Sequence, residues 1–172
     1  MLGTGDQVLM HLVAIQAVRT VGKVTIWGRN LEHAEQRAAE IAARGPDAPP
    51  VEVFSSAQEA VAAADIVCTL TPATEPILQG IWLKPGAHIN AVGCCTPRER
   101  ELDLETVTRS RLYVDTRAAC VKEPGDLVVP LQRGELTEDH IIGEIGEVLN
   151  GTVGGRERQC EITLFKSLGC AL

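Results

Sequence analysis

Residues 1–10 read MLGTGDQVLM, with two glycines flanking Thr4 close to the start. Gly3-Thr4-Gly5 ahead of a helical apolar pattern fits the opening of a dinucleotide-binding unit. There, free N–H groups at a helix start hold a pyrophosphate. The same three residues also make an ordinary turn. Val8 stands where the third small residue of G-x-G-x-x-G belongs, and only Met1 and Leu2 precede the turn, where a strand should be. The rest of the chain has to arbitrate.

Beyond this turn, strand-like runs alternate with helix-like ones. Val8, Leu9, Leu12, Val13 and Ile15 recur at helical spacing, and Gly22 closes that segment. Val24–Trp27 is β-rich and ends at Gly28. A helix is expected over 31–43, a strand over Val51–Phe54, and a helix over Ala57–Ala64 capped by Ser56 with Glu59 at the capping-box position. Strands are expected over Asp65–Leu70 and His88–Val92, with Leu112–Val114 as the last. Strands separated by helix-length segments imply βαβ crossovers. The expected fold is α/β: one doubly wound, mostly parallel Rossmann sheet with a truncated first strand, a single domain over residues 1–172.

Composition agrees. The 172 residues suffice for one such domain, and with 45% hydrophobic and 3% aromatic residues the core must be aliphatic. A net charge of −7 argues against a nucleic-acid partner. No apolar run reaches membrane-spanning length, and no basic region followed by an apolar one marks a secretion signal, so the expected location is the cytoplasm. The six cysteines contain no C-x-x-C pair, which suits reduced thiols. No Cys and His spacing suggests a metal site. His88 reads as a satisfied core histidine and His140 as a surface one. The segment GELTEDHIIGEIGEVL (134–149) reads as a solvated helix face with Ile141, Ile142, Ile145 and Val148 turned inward.

Ligands of such sheets sit at the carboxyl ends of the strands, which singles out Gly3-Thr4-Gly5-Asp6-Gln7, Gly28-Arg29-Asn30, Thr69-Leu70-Thr71-Pro72 and Ala91-Val92-Gly93. NAD-binding proteins usually place a carboxylate after the second strand, for the ribose 2′-hydroxyl. Here no acid occurs until Glu32, and Arg29 stands ready for the 2′-phosphate of NADP(H) or else points into solvent.

Three runs carry a resemblance: EPILQGIWLKPGAHINAVG (75–93), YVDTRAACVKEPGDL (113–127) and TLFKSLG (163–169). Through them the chain resembles the ornithine cyclodeaminase and mu-crystallin family, in its ketimine reductase branch, over nearly all its length. The resemblance implies NADPH-dependent reduction of cyclic or linear ketimines. In the crystallin members it also implies thyroid-hormone binding governed by NADPH, and in the family homodimers built from a Rossmann domain and a separate substrate and dimerisation domain. It places cofactor contacts at Thr4, Asp6, Gln7, Gly28, Arg29, Asn30, His33, Thr71, Pro72, Val92 and Ser167, beside the turn glycines Gly3 and Gly5, and puts Glu123 on the substrate or hormone side. Asp6 departs from an apolar family residue, and Gly28 and His33 from asparagines. A carboxylate at Asp6 would repel a pyrophosphate unless it faces away, and His33 reads equally as an exposed helix residue.

Ornithine cyclodeaminases resemble Gly-Ala-Asp where this chain has Gly93-Cys94-Cys95, so the aspartate of deamination is missing. Cysteine is no general base at neutral pH unless its pKa is strongly lowered, and Cys95 reads as a partly buried, inert thiol. The family's first strand and substrate half have no counterpart here. The expectation is therefore a cofactor-binding domain, cut from a larger reductase or made as a truncated product. Its two-residue strand should pair poorly, no complete active site is expected, and no catalytic residue is assigned. An NADPH-dependent imine reductase, a non-catalytic NADPH and small-ligand binder, and an inactive fragment all stay open.

Overall fold

Leu2 joins two groups of parallel strands into one sheet. The computed structural model describes residues 1–169. One group pairs β1 (Val24–Trp27) with β2 (Val51–Phe54). The other contains β3 (Ile66–Thr69), β4 (His88–Ala91), β5 (Ser110–Val114), β6 (Ile141–Glu144) and β7 (Ile162–Lys166), in the order β3-β4-β7-β5-β6. Every strand pair is parallel. Leu2 bridges Trp27 on one side and Thr69 on the other, so the full order runs β2-β1-Leu2-β3-β4-β7-β5-β6.

The two-residue strand is better paired than its length suggests. Leu2 N donates to the Cys68 carbonyl at 2.8 Å, and Leu70 N to the Leu2 carbonyl at 2.9 Å. Gly3 N reaches the Trp27 carbonyl at 2.8 Å, and Trp27 N the Met1 carbonyl at 3.0 Å. The Met1 ammonium adds a bond of 2.7 Å to the Thr25 carbonyl. Leu2 is fully buried, which contributes roughly 2–3 kcal/mol relative to an exposed leucine.

Helices α1 (Gln7–Gln16), α2 (Leu31–Ala42), α3 (Ala57–Val61), α4 (Leu104–Thr108), α5 (Arg117–Cys120), α6 (Gly125–Gln132) and α7 (Ile145–Leu149) fill the connections. Alternation along the strands sends neighbouring side chains to opposite faces. Val67 of β3 enters a core with Ile89, Leu112, Val114 and Leu164. Cys68, its neighbour, enters a second core with Val8, Leu12, Ile26 and Ile41. A sheet buried on both faces by aliphatic side chains is the doubly wound architecture expected.

Three further expectations need correcting. Leu112–Val114 is not the last strand: β6 and β7 follow it, and β7 inserts between β4 and β5. The segment 134–149 is not one helix. Ile141 and Gly143 alternate inward as part of β6, a Cβ on Gly143 would come within 2.9 Å of Val153, and Ile145 stays exposed. His140 is half-buried, with Nε2 at 2.8 Å from the Val107 carbonyl. His88 is satisfied, at 2.8 Å from Thr163 Oγ1 and 3.2 Å from Asn90 Oδ1.

Candidate cofactor site

The chain leaves Leu2 toward β1 and β2 on one side, then crosses back to β3 on the other. That reversal is the topological switch point, where a parallel sheet opens a crevice at the carboxyl ends of its strands. The four stretches singled out in the sequence follow those ends, as does Ser167, which the resemblance implied. Gly3-Thr4-Gly5 follows Leu2, Gly28-Arg29-Asn30 follows β1, Thr71-Pro72 follows β3, Val92-Gly93 follows β4 and Ser167 follows β7.

The first turn is tailored in its backbone. Gly3 has φ 134°, and a Cβ there would lie 2.8 Å from the Leu70 carbonyl oxygen, so only glycine fits. Gly5 differs: a Cβ would meet nothing within 4 Å, and the space faces solvent. Helix α1 begins at Gln7; Val8 N donates back to the Gly5 carbonyl at 3.1 Å, and no side chain caps the helix start, which leaves it open to an anion. The Asp6 carboxylate turns to Arg37 of α2 at 3.1 Å, and Arg37 Nε also donates to the Thr4 carbonyl at 3.1 Å. The acid that breaks the family pattern is thus engaged by a cation from the neighbouring helix. A Cβ on Gly28 would overlap the Thr4 methyl, which gives its lack of a side chain a packing reason.

After β1, Asn30 caps α2 by accepting from His33 N at 3.3 Å. The side chain of His33 is exposed. Arg29 is exposed and makes no ion pair or hydrogen bond among the described residues. Ser167 gives its hydroxyl to Asp115 Oδ2 at 3.1 Å, and its N–H to the Ala91 carbonyl at 2.9 Å. Pro72 is exposed and Val92 half-buried. Glu123 is exposed beyond α5. Its loop packs on the segment after β4, where Gly125 N donates to the Thr96 carbonyl at 3.0 Å.

Below the crevice lies a set of buried charges that the sequence did not reveal. Glu101 is fully buried and ties the ends of β3 and β4 together, accepting from Thr71 N at 2.6 Å and Gly93 N at 2.9 Å. Asp126, equally buried, accepts from Glu101 N and Leu102 N at 2.8 and 2.9 Å. Lys166 is fully buried, 3.7 Å from Asp126 and 3.1 Å from the Ala91 carbonyl it donates to. Burial pushes the carboxyls of Glu101 and Asp126 up from their ordinary range. It also pushes the Cys94 thiol up to about 12. Cys95 is more open than expected, yet local desolvation raises its thiol too, which keeps it protonated and inert at neutral pH. At the opposite, amino-terminal edge of the sheet lies a cavity of about 880 Å³, bordered by Met1, Thr25, Ile66, His88 and Arg156. It is remote from the strand ends that carry the predicted contacts.

The sequence pattern of the ornithine cyclodeaminase/mu-crystallin family matches residues 1–172. The chain belongs to this family. Over 172 residues it is 43% identical to the ketimine reductase mu-crystallin of Mus musculus, covering 99% of this chain and 50% of that protein. It is 37% identical to the Delta(1)-pyrroline-2-carboxylate reductase of Bacillus cereus, covering 99% of this chain and 52% of that one. The chain thus spans about half the length of these family relatives. Among solved family structures, the Delta(1)-pyrroline-2-carboxylate reductase of Thermococcus litoralis in complex with NADH and L-proline superposes with a TM-score of 0.93 at 38% identity, over 98% of this chain and 51% of that one. An archaeal alanine dehydrogenase dimer with bound NAD gives a TM-score of 0.90 at 31% identity, over 98% of this chain and 51% of that one.

Proposed function

We propose that residues 1–172 form the nicotinamide-cofactor-binding domain of an NADPH-dependent reductase that acts on the C=N bond of ketimines. The observation that carries this reading is that Leu2, β1, β3, β4 and β7 run parallel and all end at the switch-point edge. They bring the Gly3-Thr4-Gly5 turn, an uncapped helix start and Arg29 to one edge of the sheet.

In this reading Gly5 and the first N–H groups of α1 receive the pyrophosphate, with Thr4 and Gln7 beside it. Asp6 stays directed to Arg37. Gly28, Arg29, Asn30 and His33 surround the adenosine phosphate, and Arg29 selects NADP(H) by pairing with the 2′-phosphate. NADH and NAD occupy the structural relatives named above. The lack of any acid before Glu32 and the unengaged guanidinium of Arg29 favour the phosphorylated cofactor here. Thr71, Pro72, Val92 and Ser167 line the nicotinamide side, and Glu123 faces the substrate side. The bound cofactor would supply hydride. The protein's part is to orient it and to exclude water, since the cofactor carries the chemistry.

Reduction is favoured over deamination because Cys95 replaces the aspartate of ornithine cyclodeaminases and its thiol stays protonated. A homodimer accords with the dimeric alanine dehydrogenase. A cytoplasmic location accords with the free thiols of Cys68, Cys94, Cys95, Cys120 and Cys160. The test joins this domain to a substrate half of the kind its relatives possess and follows NADPH absorbance on adding a cyclic ketimine. Ketimine-dependent oxidation supports the reductase. Binding of NADPH and thyroid hormone without any oxidation would favour the non-catalytic alternative.

A further inference from the structure

The floor of the crevice carries more buried negative charge than positive. Glu101 accepts four hydrogen bonds, from Thr69 Oγ1 at 2.8 Å, Thr71 Oγ1 at 2.8 Å, Thr71 N at 2.6 Å and Gly93 N at 2.9 Å. That donor set satisfies both oxygens of an ionised carboxylate. Behind it, Asp126 Oδ1 takes two backbone N–H bonds, while its Oδ2 has no hydrogen-bond partner and only Lys166 at 3.7 Å. Asp115 accepts from Ser167 Oγ and Leu168 N through Oδ2, and its buried Oδ1 is also without a partner. Arg100, the nearest cation in sequence, makes no ion pair with any of them among the described residues. Among the described residues Lys166 is the cation that ion-pairs with this group, and the neighbouring Arg100 has a buried Nε without a hydrogen-bond partner.

Buried charge in excess is costly, and burial does push the Glu101 carboxyl up, but the hydrogen bonds from Thr69 and Thr71 oppose that shift and favour the ionised form. Glu101 also grips Thr69 and Thr71 at the end of β3, which is one wall of the switch-point crevice, and Gly93 at the end of the neighbouring β4. Whatever lies along these two strand ends feels its charge through protein rather than water. The nicotinamide ring is neutral when reduced and gains a positive charge when hydride leaves with both electrons. We propose that Glu101, backed by Asp126 and Lys166, is the positioning residue that fixes Thr71 and Gly93 beneath the nicotinamide and sets a negative floor that favours the oxidised, cationic ring. The inference rests on the cofactor reading above and adds a direction to it. Such a floor pulls the bound pair toward hydride donation, the sense a reductase requires.

The test compares NADP⁺ and NADPH affinities of the wild-type chain with those of Glu101→Gln, read by quenching of tryptophan fluorescence (Trp27 ends β1). The substitution keeps the side chain's shape and removes its charge. The expected result is a loss of NADP⁺ affinity at least about threefold greater than the loss of NADPH affinity. Equal losses for both forms would mean a purely structural strut and overturn the inference. If circular dichroism shows that Glu101→Gln does not fold, Asp126→Asn replaces it with the same expected ratio and the same overturning result. Thr71→Val is the control: it removes the hydroxyl's bonds to Glu101 and from Ala73 N without changing charge, and should weaken both forms alike. A wild-type chain that binds neither form would contradict the cofactor reading itself, and this inference falls with it.

Discussion

Arg37 of α2 holds the Asp6 carboxylate at 3.1 Å, and with Nε it also holds the Thr4 carbonyl at 3.1 Å. The guanidinium is largely buried, with its side chain 12% exposed, so it pins the Gly3-Thr4-Gly5 turn to α2 and draws the acid aside from the helix start. Arg37→Ala is expected to weaken NADPH about fivefold or more, by freeing a carboxylate beside the pyrophosphate. The double variant Arg37→Ala/Asp6→Asn should recover most of that loss. A double-mutant cycle in NADPH titration measures the coupling, and additive effects would contradict it.

Gly3 and Gly5 should separate folding from binding. Gly3→Ala forces a Cβ against the Leu70 carbonyl at a φ of 134°, and should destabilise the chain by more than about 2 kcal/mol in urea unfolding. Gly5→Ala meets nothing, and should leave stability within about 1 kcal/mol. It should nevertheless weaken NADPH tenfold or more (roughly), because the methyl occupies the approach of the pyrophosphate. A Gly5 variant that binds as wild type would remove the turn from the site.

Arg29→Ala should weaken NADPH by roughly tenfold while leaving NADH nearly unchanged. The selectivity is the point. Equal effects on the two cofactors would show that Arg29 does not read the 2′-phosphate.

Glu161 sets part of the acid limit of the fold. It stands just before β7, accepting from Glu157 N at 2.9 Å, Arg158 N at 3.1 Å and Arg158 Nε at 3.1 Å. The backbone donors first, then the arginines, hold its carboxyl at about 2, below the ordinary 4.5. A carboxylate with a depressed folded pKa stabilises above its unfolded pKa, and that contribution disappears as pH falls from 4.5 toward about 2. The stability gap between wild type and Glu161→Gln should therefore be largest near neutrality and close through that window. Urea midpoints measured along the pH series check it, and a gap that widens on acidification would reverse the sign.

Much of the switch-point edge was legible because short strands ended by glycine or proline are strong signals. Trp27-Gly28 and Thr71-Pro72 mark the carboxyl ends of β1 and β3 in the sequence itself. What hid β7 was charge. Ile162–Lys166 follows Glu157, Arg158 and Glu161 and ends in a lysine, which reads as surface. That lysine is fully buried against Asp126. Across β6 and α7, Ile141, Ile142, Ile145 and Val148 mimic one helical period, and only the fit of Gly143 against Val153 shows a strand in its first half. Glu101 sits among the charges of Arg98-Glu99-Arg100, and nothing local distinguishes it from a solvated acid. Its burial is a property of the assembled sheet. The pairing of Leu2 was underestimated for a similar reason: both of its partners are distant in sequence.

The most direct test of the account is a titration of the purified chain with NADPH and, in parallel, with NADH. Saturable binding of NADPH with a clear preference over NADH is expected, with loss of that preference in Arg29→Ala. Failure to bind either cofactor, or a preference for NADH, would contradict it.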